Sequence, residues 1–224
     1  GLTRPEMAVL LAYGKIDLFD DIVASQAPDD PWFEATLKGY FPPALGQYGD
    51  AMQQHRLRRE IIATVLDNQM INMCGPTFPS RLRAAAACDT TALVIAFAAA
   101  REILGVDALW DQVSALDGKA SAGGQLALYK ALAYALRSLT FWLARRAFKD
   151  KSTVKALVEA SRSHGRQTFA WPPRGRGDEG GTGGEHVDQD LQAGELVQAV
   201  GQQPALVGGG LDPRGGADHS APVV

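Results

Sequence analysis

The chain has 224 residues, enough for one large domain or two small ones, and its 46% hydrophobic and 21% charged residues are ordinary for a globular protein. A formal net charge of −3 excludes a strong overall attraction to nucleic acid or to an anionic membrane. The longest apolar run, residues 92–100, is too short to cross a bilayer, and no charged and apolar leader of the secretory type opens the chain.

A helix is predicted at the very start of the chain, which carries no initiator Met. Thr3 and Glu6 have the spacing of a capping box, and Pro5 falls in the first turn, where its missing N–H costs nothing. Apolar residues then recur at helical spacing and predict a helix over about 3–25: Met7, Leu10, Leu11, Ile16, Phe19 and Ile22. Such an abrupt beginning favours a piece of a longer polypeptide.

Capping residues, prolines and glycines predict where the other helices begin and end. The predicted helices cover about 30–40, 45–74, 77–87, 89–105, 107–116, 125–148 and 152–160, with a loop over 118–124. Their predicted N-caps are Asp30, Asp89, Asp107 and Ser152, while Gly75 and Gly105 are predicted to end the helices that precede them.

One helix, over 125–148, has a marked apolar stripe. The stripe consists of Leu126, Tyr129, Leu132, Ala133, Leu136, Leu139, Leu143 and Ala147. No segment shows the sustained alternation of a strand, so the fold class predicted for residues 1–160 is an all-α bundle of seven or eight helices.

The composition changes near residue 160. Residues 1–160 carry as many acidic as basic side chains, whereas 161–224 carry the whole net charge of −3 and 14 of the 24 glycines. Residues 161–224 contain few large apolar side chains, and burying these cannot offset the conformational entropy that ordering the segment would cost. We therefore predict a disordered Gly-rich tail with at most a short helix around 190–200. The tail lacks Ile, Lys, Met, Tyr and Asn, whose codons are AT-rich. It is either a frameshift product or a genuine disordered tail.

No catalytic, cofactor-binding or metal-binding residue is predicted. Residues 175–180 spell G-x-G-x-x-G, but neither the strand before it nor the helix after it that dinucleotide binding requires is present. His164, His186 and His219 lie in the tail without a cysteine nearby. Three acidic residues at helical spacing, Asp17, Asp20 and Asp21, are interpreted as a surface patch rather than a metal site.

The densest charge cluster contains His55, Arg56, Arg58, Arg59 and Glu60. We interpret it as a solvated helix face, and an anion site or a dock for an acidic partner is the alternative. The aromatic residues Trp110, Phe141 and Trp142 are interpreted as core or interface anchors.

Only two cysteines are present, Cys74 and Cys88, and they form no C-x-x-C pair. We expect free thiols in a reducing cytoplasm, with a single disulfide between the two as the open alternative.

Six separated blocks then carry a family resemblance: Leu2-Thr3-Arg4-Pro5-Glu6, Tyr40-Phe41-Pro42-Pro43, His55-Arg56-Leu57-Arg58-Arg59-Glu60, Gly75-Pro76-Thr77-Phe78, Ala100-Arg101-Glu102 and Ala108-Leu109-Trp110. In this order and spacing they resemble the C-terminal part of the large bacterial NAD-specific glutamate dehydrogenases. The resemblance covers roughly residues 1–160 and ends where the composition changes.

The resemblance implies a parent oxidoreductase that converts L-glutamate, NAD and water into 2-oxoglutarate, ammonium and NADH. In that family the catalytic lysine, the substrate pocket and the nucleotide-binding fold lie upstream of this region. The chain is therefore expected to be inactive alone and to hold no cofactor, NAD belonging to the parent. It is expected to be a cytoplasmic packing or oligomerisation region that contacts the upstream catalytic domain.

The sequence is also compatible with two other functions. The first is a free-standing helical protein-interaction module. The second is a helical nucleic-acid binder that uses Arg56, Arg58 and Arg59, against which the neutral charge of residues 1–160 argues. We expect neither a nucleic acid nor a membrane as partner.

Overall fold

A computed structural model of the chain describes residues 1–163. This part contains nine α-helices: α1 (Arg4–Ala24), α2 (Glu34–Tyr40), α3 (Gly49–Gln53), α4 (Arg58–Cys74), α5 (Phe78–Ala86), α6 (Thr90–Leu104), α7 (Val106–Ser114), α8 (Ala122–Asp150) and α9 (Val154–Ser163). Short 3₁₀ helices at Ala27–Asp29, Pro31–Phe33 and Pro43–Tyr48 connect the first three. No strand occurs within residues 1–163, which confirms the all-α prediction. The predicted disordered tail and its helix around 190–200 lie outside the described residues.

Helix α6 forms the centre of the bundle. Ten of its fifteen residues are buried, and it packs against α1, α5, α7, α8 and α9. Ala96, Ala99 and Ala100 are fully buried and let the neighbouring helices approach closely, while the Phe97 ring fills the space between them. Helix α6 thus illustrates the rule that a helix with apolar residues on every side is enclosed by other elements.

Several predicted helix boundaries are confirmed. The Thr3 hydroxyl accepts a hydrogen bond from the Glu6 N–H, and the Glu6 carboxylate accepts the Thr3 N–H at 2.8 Å, as a capping box requires. The Asp89 carboxylate accepts the Ala92 N–H at 2.8 Å and caps α6. Gly105 ends α6 with a φ of 60°, in the left-handed region that favours glycine.

The single long helix predicted over 45–74 is wrong. The chain there forms a 3₁₀ helix, the short helix α3, a turn and then α4. Gly46 and Gly49 weaken any helix over this stretch by about 1 kcal/mol each relative to alanine. The His55 ring accepts the Leu57 N–H at 3.2 Å, which stabilises the turn before α4 begins at Arg58. The split accounts for nine helices where seven or eight were predicted.

The predicted N-cap of α7 also differs from the structure. Gly105 occupies the N-cap position, and Asp107 lies inside the first turn. The Asp107 carboxylate binds the Arg101 guanidinium instead, with both oxygens 2.6 Å from one nitrogen. A side-chain partner on the preceding helix therefore competes with the capping role.

Two further boundaries shift by a few residues. Helix α9 is capped by Thr153 rather than Ser152, because the Thr153 hydroxyl accepts the Ala156 N–H at 3.2 Å. Helix α8 begins at Ala122, and the Ser121 hydroxyl caps it by accepting the Gly124 N–H at 3.1 Å. The predicted loop over 118–124 is therefore too long.

The stripe predicted on α8 is confirmed along most of its length. Leu132, Ala133, Leu136, Leu139, Leu143 and Ala147 are buried, whereas Leu126 is 53% exposed.

Within the described part of the chain, no helix is by itself long and apolar enough to cross a membrane. The helices α5 and α6 meet the length and composition criteria only as a pair, and they are bent by 108° relative to one another.

Candidate functional site

The acidic residues near the middle of α1 lie where a surface patch was predicted. Asp17 and Asp20 are exposed, and Asp21 forms an ion pair with Arg83 at 2.7 Å. Among residues 1–163, no group of three or more His, Cys, Asp or Glu side chains is placed to hold a metal ion. The G-x-G-x-x-G sequence and the three tail histidines lie outside the described residues.

The arginine cluster acts inside the fold. One Arg59 nitrogen donates to the backbone carbonyls of Val23 at 2.9 Å and Ser25 at 2.5 Å, and another binds Asp29. Arg58 reaches the same Asp29 carboxylate at 3.5 Å. Cations at these carbonyls complement the negative end of the α1 dipole. The interpretation as a solvated helix face is thus wrong for these two residues: Arg59 fastens α4 to the end of α1, and Arg58 fastens it to the 3₁₀ helix Ala27–Asp29.

An open depression of about 780 Å³ lies between α2, α4, α6 and the start of α7. Its walls include Trp32, Tyr40 and Arg101. The Arg101 guanidinium lies 5.8 Å from the centre of the Phe97 ring and binds both Gln69 and the Asp107 carboxylate. Because Asp107 already neutralises this guanidinium, the depression is better explained as the junction of these helices than as an anion site.

A buried carboxyl group lies on α4. Asp67 is only 4% exposed, and its Oδ1 atom has no hydrogen-bond partner. Burial raises the pKa of Asp67, and this effect exceeds the opposing effects of the Asn68 backbone N–H and the Lys15 ammonium, which lower it. The Lys15 ammonium donates its hydrogen bond to the Asn68 side chain, at 2.5 Å. Asp67 is therefore a destabilising charge at neutral pH.

Replacing Asp67 with asparagine should raise the free energy of unfolding at pH 7 by about 1 kcal/mol, because the amide has no charge to desolvate. The raised pKa means that the folded state binds a proton more tightly than the unfolded state. The contribution of Asp67 to the stability of the wild-type chain therefore rises as the pH falls through its pKa, and the variant should lose this part of the pH dependence. Urea titrations between pH 4 and 7 measure both effects. The same substitution at exposed Asp17 is the control and should change stability by less than about 0.5 kcal/mol.

Both cysteines are free thiols, as expected. Burial raises the pKa of Cys74 to about 12, and burial together with the Asp89 carboxylate raises that of Cys88. Since the thiolate is the nucleophilic form, neither side chain has the properties of a catalytic cysteine.

The largest group of exposed apolar side chains lies on α1. The α1 apolar surface consists of Met7, Val9, Leu10, Tyr13 and Ile16, which are 43% to 63% exposed. A smaller group lies around the segment between α2 and α4 and consists of Tyr40, Leu45, Tyr48 and Leu57. Three others are scattered along α8: Leu126, Trp142 and Phe148.

The helical spacing in α1 was therefore identified correctly, but it does not correspond to one buried face. Of the six spaced apolar residues, Ile22 is buried, Leu11 and Phe19 are partly buried, and the other three are exposed. Of the aromatic anchors, Trp110 packs on Tyr129 with ring centres 4.6 Å apart, Phe141 packs against the core, and Trp142 is 38% exposed.

Comparison with known proteins connects this bundle to one family. Residues 1–167 match the family model described as the C-terminal part of glutamate dehydrogenase. The chain is similar to the NAD-specific glutamate dehydrogenase of Halomonas elongata, with 36% identity over 147 residues, covering 65% of this chain and 9% of the relative. The corresponding protein of Pseudomonas aeruginosa is 35% identical over 146 residues, which are 65% of this chain and 9% of the relative. The protein of Mycobacterium tuberculosis is 34% identical over 116 residues, which are 51% of this chain and 7% of the relative. The chain thus spans a small part of the length of these relatives.

Proposed function

Because this chain belongs to the family of glutamate dehydrogenase C-terminal regions, we propose that it is the helical packing region of a larger NAD-specific glutamate dehydrogenase. The observation that carries the proposal is the family match, which covers residues 1–167 and so includes the whole described bundle. The relatives are much longer than the matched segment, which is 9% of the Halomonas elongata protein. In this proposal the dehydrogenase chemistry belongs to the polypeptide that precedes the region.

The proposed whole enzyme oxidises L-glutamate with NAD and water to 2-oxoglutarate, ammonium and NADH. NAD is then a cofactor of the catalytic domain and not of this region. The contacts of the described bundle support a structural role, because its most distinctive charged groups bind other parts of the bundle. Arg59 fastens α4 to α1, and Arg101 joins α6 to α4 and α7.

We propose that the region contributes to packing between domains or subunits of a cytoplasmic homo-oligomer. Two observations support this role. The bundle has an extensive core that lets it fold as a unit, and it exposes large apolar side chains at its surface. Free Cys74 and Cys88 are compatible with a reducing compartment.

An assay of NADH formation tests the proposal that the dehydrogenase chemistry belongs to the preceding polypeptide and not to this chain. The purified chain, given L-glutamate and NAD, should form NADH no faster than buffer, because the reaction centre lies in the preceding polypeptide. The Pseudomonas aeruginosa relative, assayed in parallel, is the positive control. Glutamate-dependent turnover by the purified chain would contradict the proposal.

A free-standing helical interaction module is the second candidate, and the exposed apolar side chains favour it equally. The two candidates differ at the gene. A reading frame that continues upstream into a dehydrogenase supports the packing region, whereas a separate start codon with its own ribosome-binding site supports the module.

A further inference from the structure

The first half of α1 is unusual for a surface helix. Residues 7–14 contain no charged side chain, so more than two helical turns are apolar on every side. Helix α6 has the same property and is enclosed by five other helices. In contrast, residues 1–10 are all exposed, and Tyr13 is 63% exposed. A helix that is apolar all round and lies at the surface indicates a missing neighbour.

The bundle packs on α1 mainly around Leu18 and Ile22, which are buried. The partly buried residues of α1 that pack against the same core are Leu11, Phe19 and Val23. Gly14 lies against Pro76, where an added Cβ would be 3.4 Å from the proline Cβ. The contacts of α1 with the bundle thus reach as far as Leu11, and the turns before it, whose residues are all exposed, extend beyond the bundle toward the chain start.

A second apolar stripe lies on the side of α1 that faces away from the bundle. Val9, Tyr13 and Ile16 are spaced by four and then three residues, so they share one face of the helix. At 100° per residue this face lies roughly opposite Leu18 and Ile22. The bundle cannot cover it by a small shift of α1, because that shift would uncover the other side.

We propose that the α1 apolar surface is the docking site for the dehydrogenase portion of the enzyme, the polypeptide that precedes this region in its family. This inference rests on the proposed function and adds which surface of the bundle contacts the preceding polypeptide. The matched segment is 9% of the Halomonas elongata relative and belongs to a C-terminal family, so most of that relative lies on the N-terminal side of α1. Direct covalent connection to α1 gives the preceding domain a high effective concentration at this surface.

The distribution of the exposed residues favours this occupant over a second copy of the chain. A two-fold pairing of α1 with itself covers one stripe on each helix. Met7 and Leu10 lie about 60° or more around the helix from the stripe of Val9, Tyr13 and Ile16, and such a pair would leave them in water. A large domain that encloses the projecting half of α1 covers both groups.

The test is a calorimetric titration of the full chain against the dehydrogenase polypeptide that the proposed function places before it. The test variant is Val9→Gln/Tyr13→Gln, which removes the apolar surface while keeping a good helix former at both positions. The matched control is Leu126→Gln/Phe148→Gln, which replaces two residues of α8 with comparable exposure, 53% and 48%. Far-UV circular dichroism establishes that both variants keep the helix content of the wild type.

The wild-type chain should bind, the α1 variant should bind roughly 10- to 100-fold more weakly, and the α8 variant should bind within about 2-fold of wild type. Equal binding by both variants would refute the assignment to α1 and leave the proposed function standing. Failure of the wild-type chain to bind would instead contradict the proposed function. Dimerisation of the chain that the α1 variant abolishes, measured by sedimentation, would overturn the inference in favour of a second copy.

Discussion

Replacing Phe97 with alanine should lower the free energy of unfolding by about 3–5 kcal/mol. Phe97 is fully buried at the centre of α6, the helix against which five others pack. Deleting its ring removes the transfer free energy of a large apolar side chain and leaves a cavity among rigid helices. The Arg101 guanidinium, 5.8 Å from the ring centre, also loses its aromatic neighbour. A urea titration monitored by circular dichroism measures the change.

Phe148 provides the control for the substitution of Phe97. It is 48% exposed on α8, so the same change to alanine removes about half as much buried area and leaves no enclosed cavity, and it should cost less than about 2 kcal/mol. Comparable losses of stability in the two variants would show that α6 is not the centre of the core.

Replacing Asp30 with alanine should lower the free energy of unfolding by about 3 kcal/mol. One oxygen of this carboxylate accepts the Trp32 N–H at 2.9 Å, and the other accepts the Val154 N–H at 3.1 Å. A single side chain thus caps a 3₁₀ helix and also satisfies the first N–H of α9. The substitution leaves the N–H of Val154, a fully buried residue, without its acceptor.

Two further aspartates give a graded series with Asp30. Asp89 caps α6 alone, and its change to alanine should cost about 1 kcal/mol. Asp111 is exposed on α7, and the same change there should cost less than about 0.5 kcal/mol. Urea midpoints measure all three variants, and an Asp30 variant no less stable than the Asp89 variant would contradict the double-cap interpretation.

The parts of the fold that depend on local chemistry were predicted well from the sequence. The capping box of Thr3, the cap of Asp89 and the glycine that ends α6 each depend on residues within a few positions of one another. The predictions failed where another contact competed with the local pattern. Asp107 binds Arg101 instead of capping α7, and the ring of His55 stabilises a turn inside the predicted long helix.

The contacts that Asp30 and Arg59 make with residues distant in the chain could not be predicted from the sequence, because local patterns do not specify them. The contact between Asp30 and Val154 spans 124 residues, and no local pattern in either segment specifies it. Arg59 likewise has the charge of a surface residue but binds the carbonyls of Val23 and Ser25 at the C-terminal end of α1. The family resemblance was identified from separated blocks, and the comparisons confirm it.

The exposure of the α1 apolar surface also could not be predicted from the sequence. Helical spacing correctly predicted a helix there, but spacing alone cannot distinguish a face that meets its own core from one that meets another domain. The distinction comes from the fold, which covers Leu18 and Ile22 and leaves Val9 and Tyr13 exposed.

Sedimentation velocity on an equimolar mixture of this chain and the dehydrogenase polypeptide that we propose precedes it tests the central claim most directly. If the chain is the packing region of that enzyme, both components should move together as one faster complex that contains them in equal amounts. Two separate boundaries, each at the rate of the isolated component across micromolar concentrations, would show that the chain is not a packing region of that polypeptide.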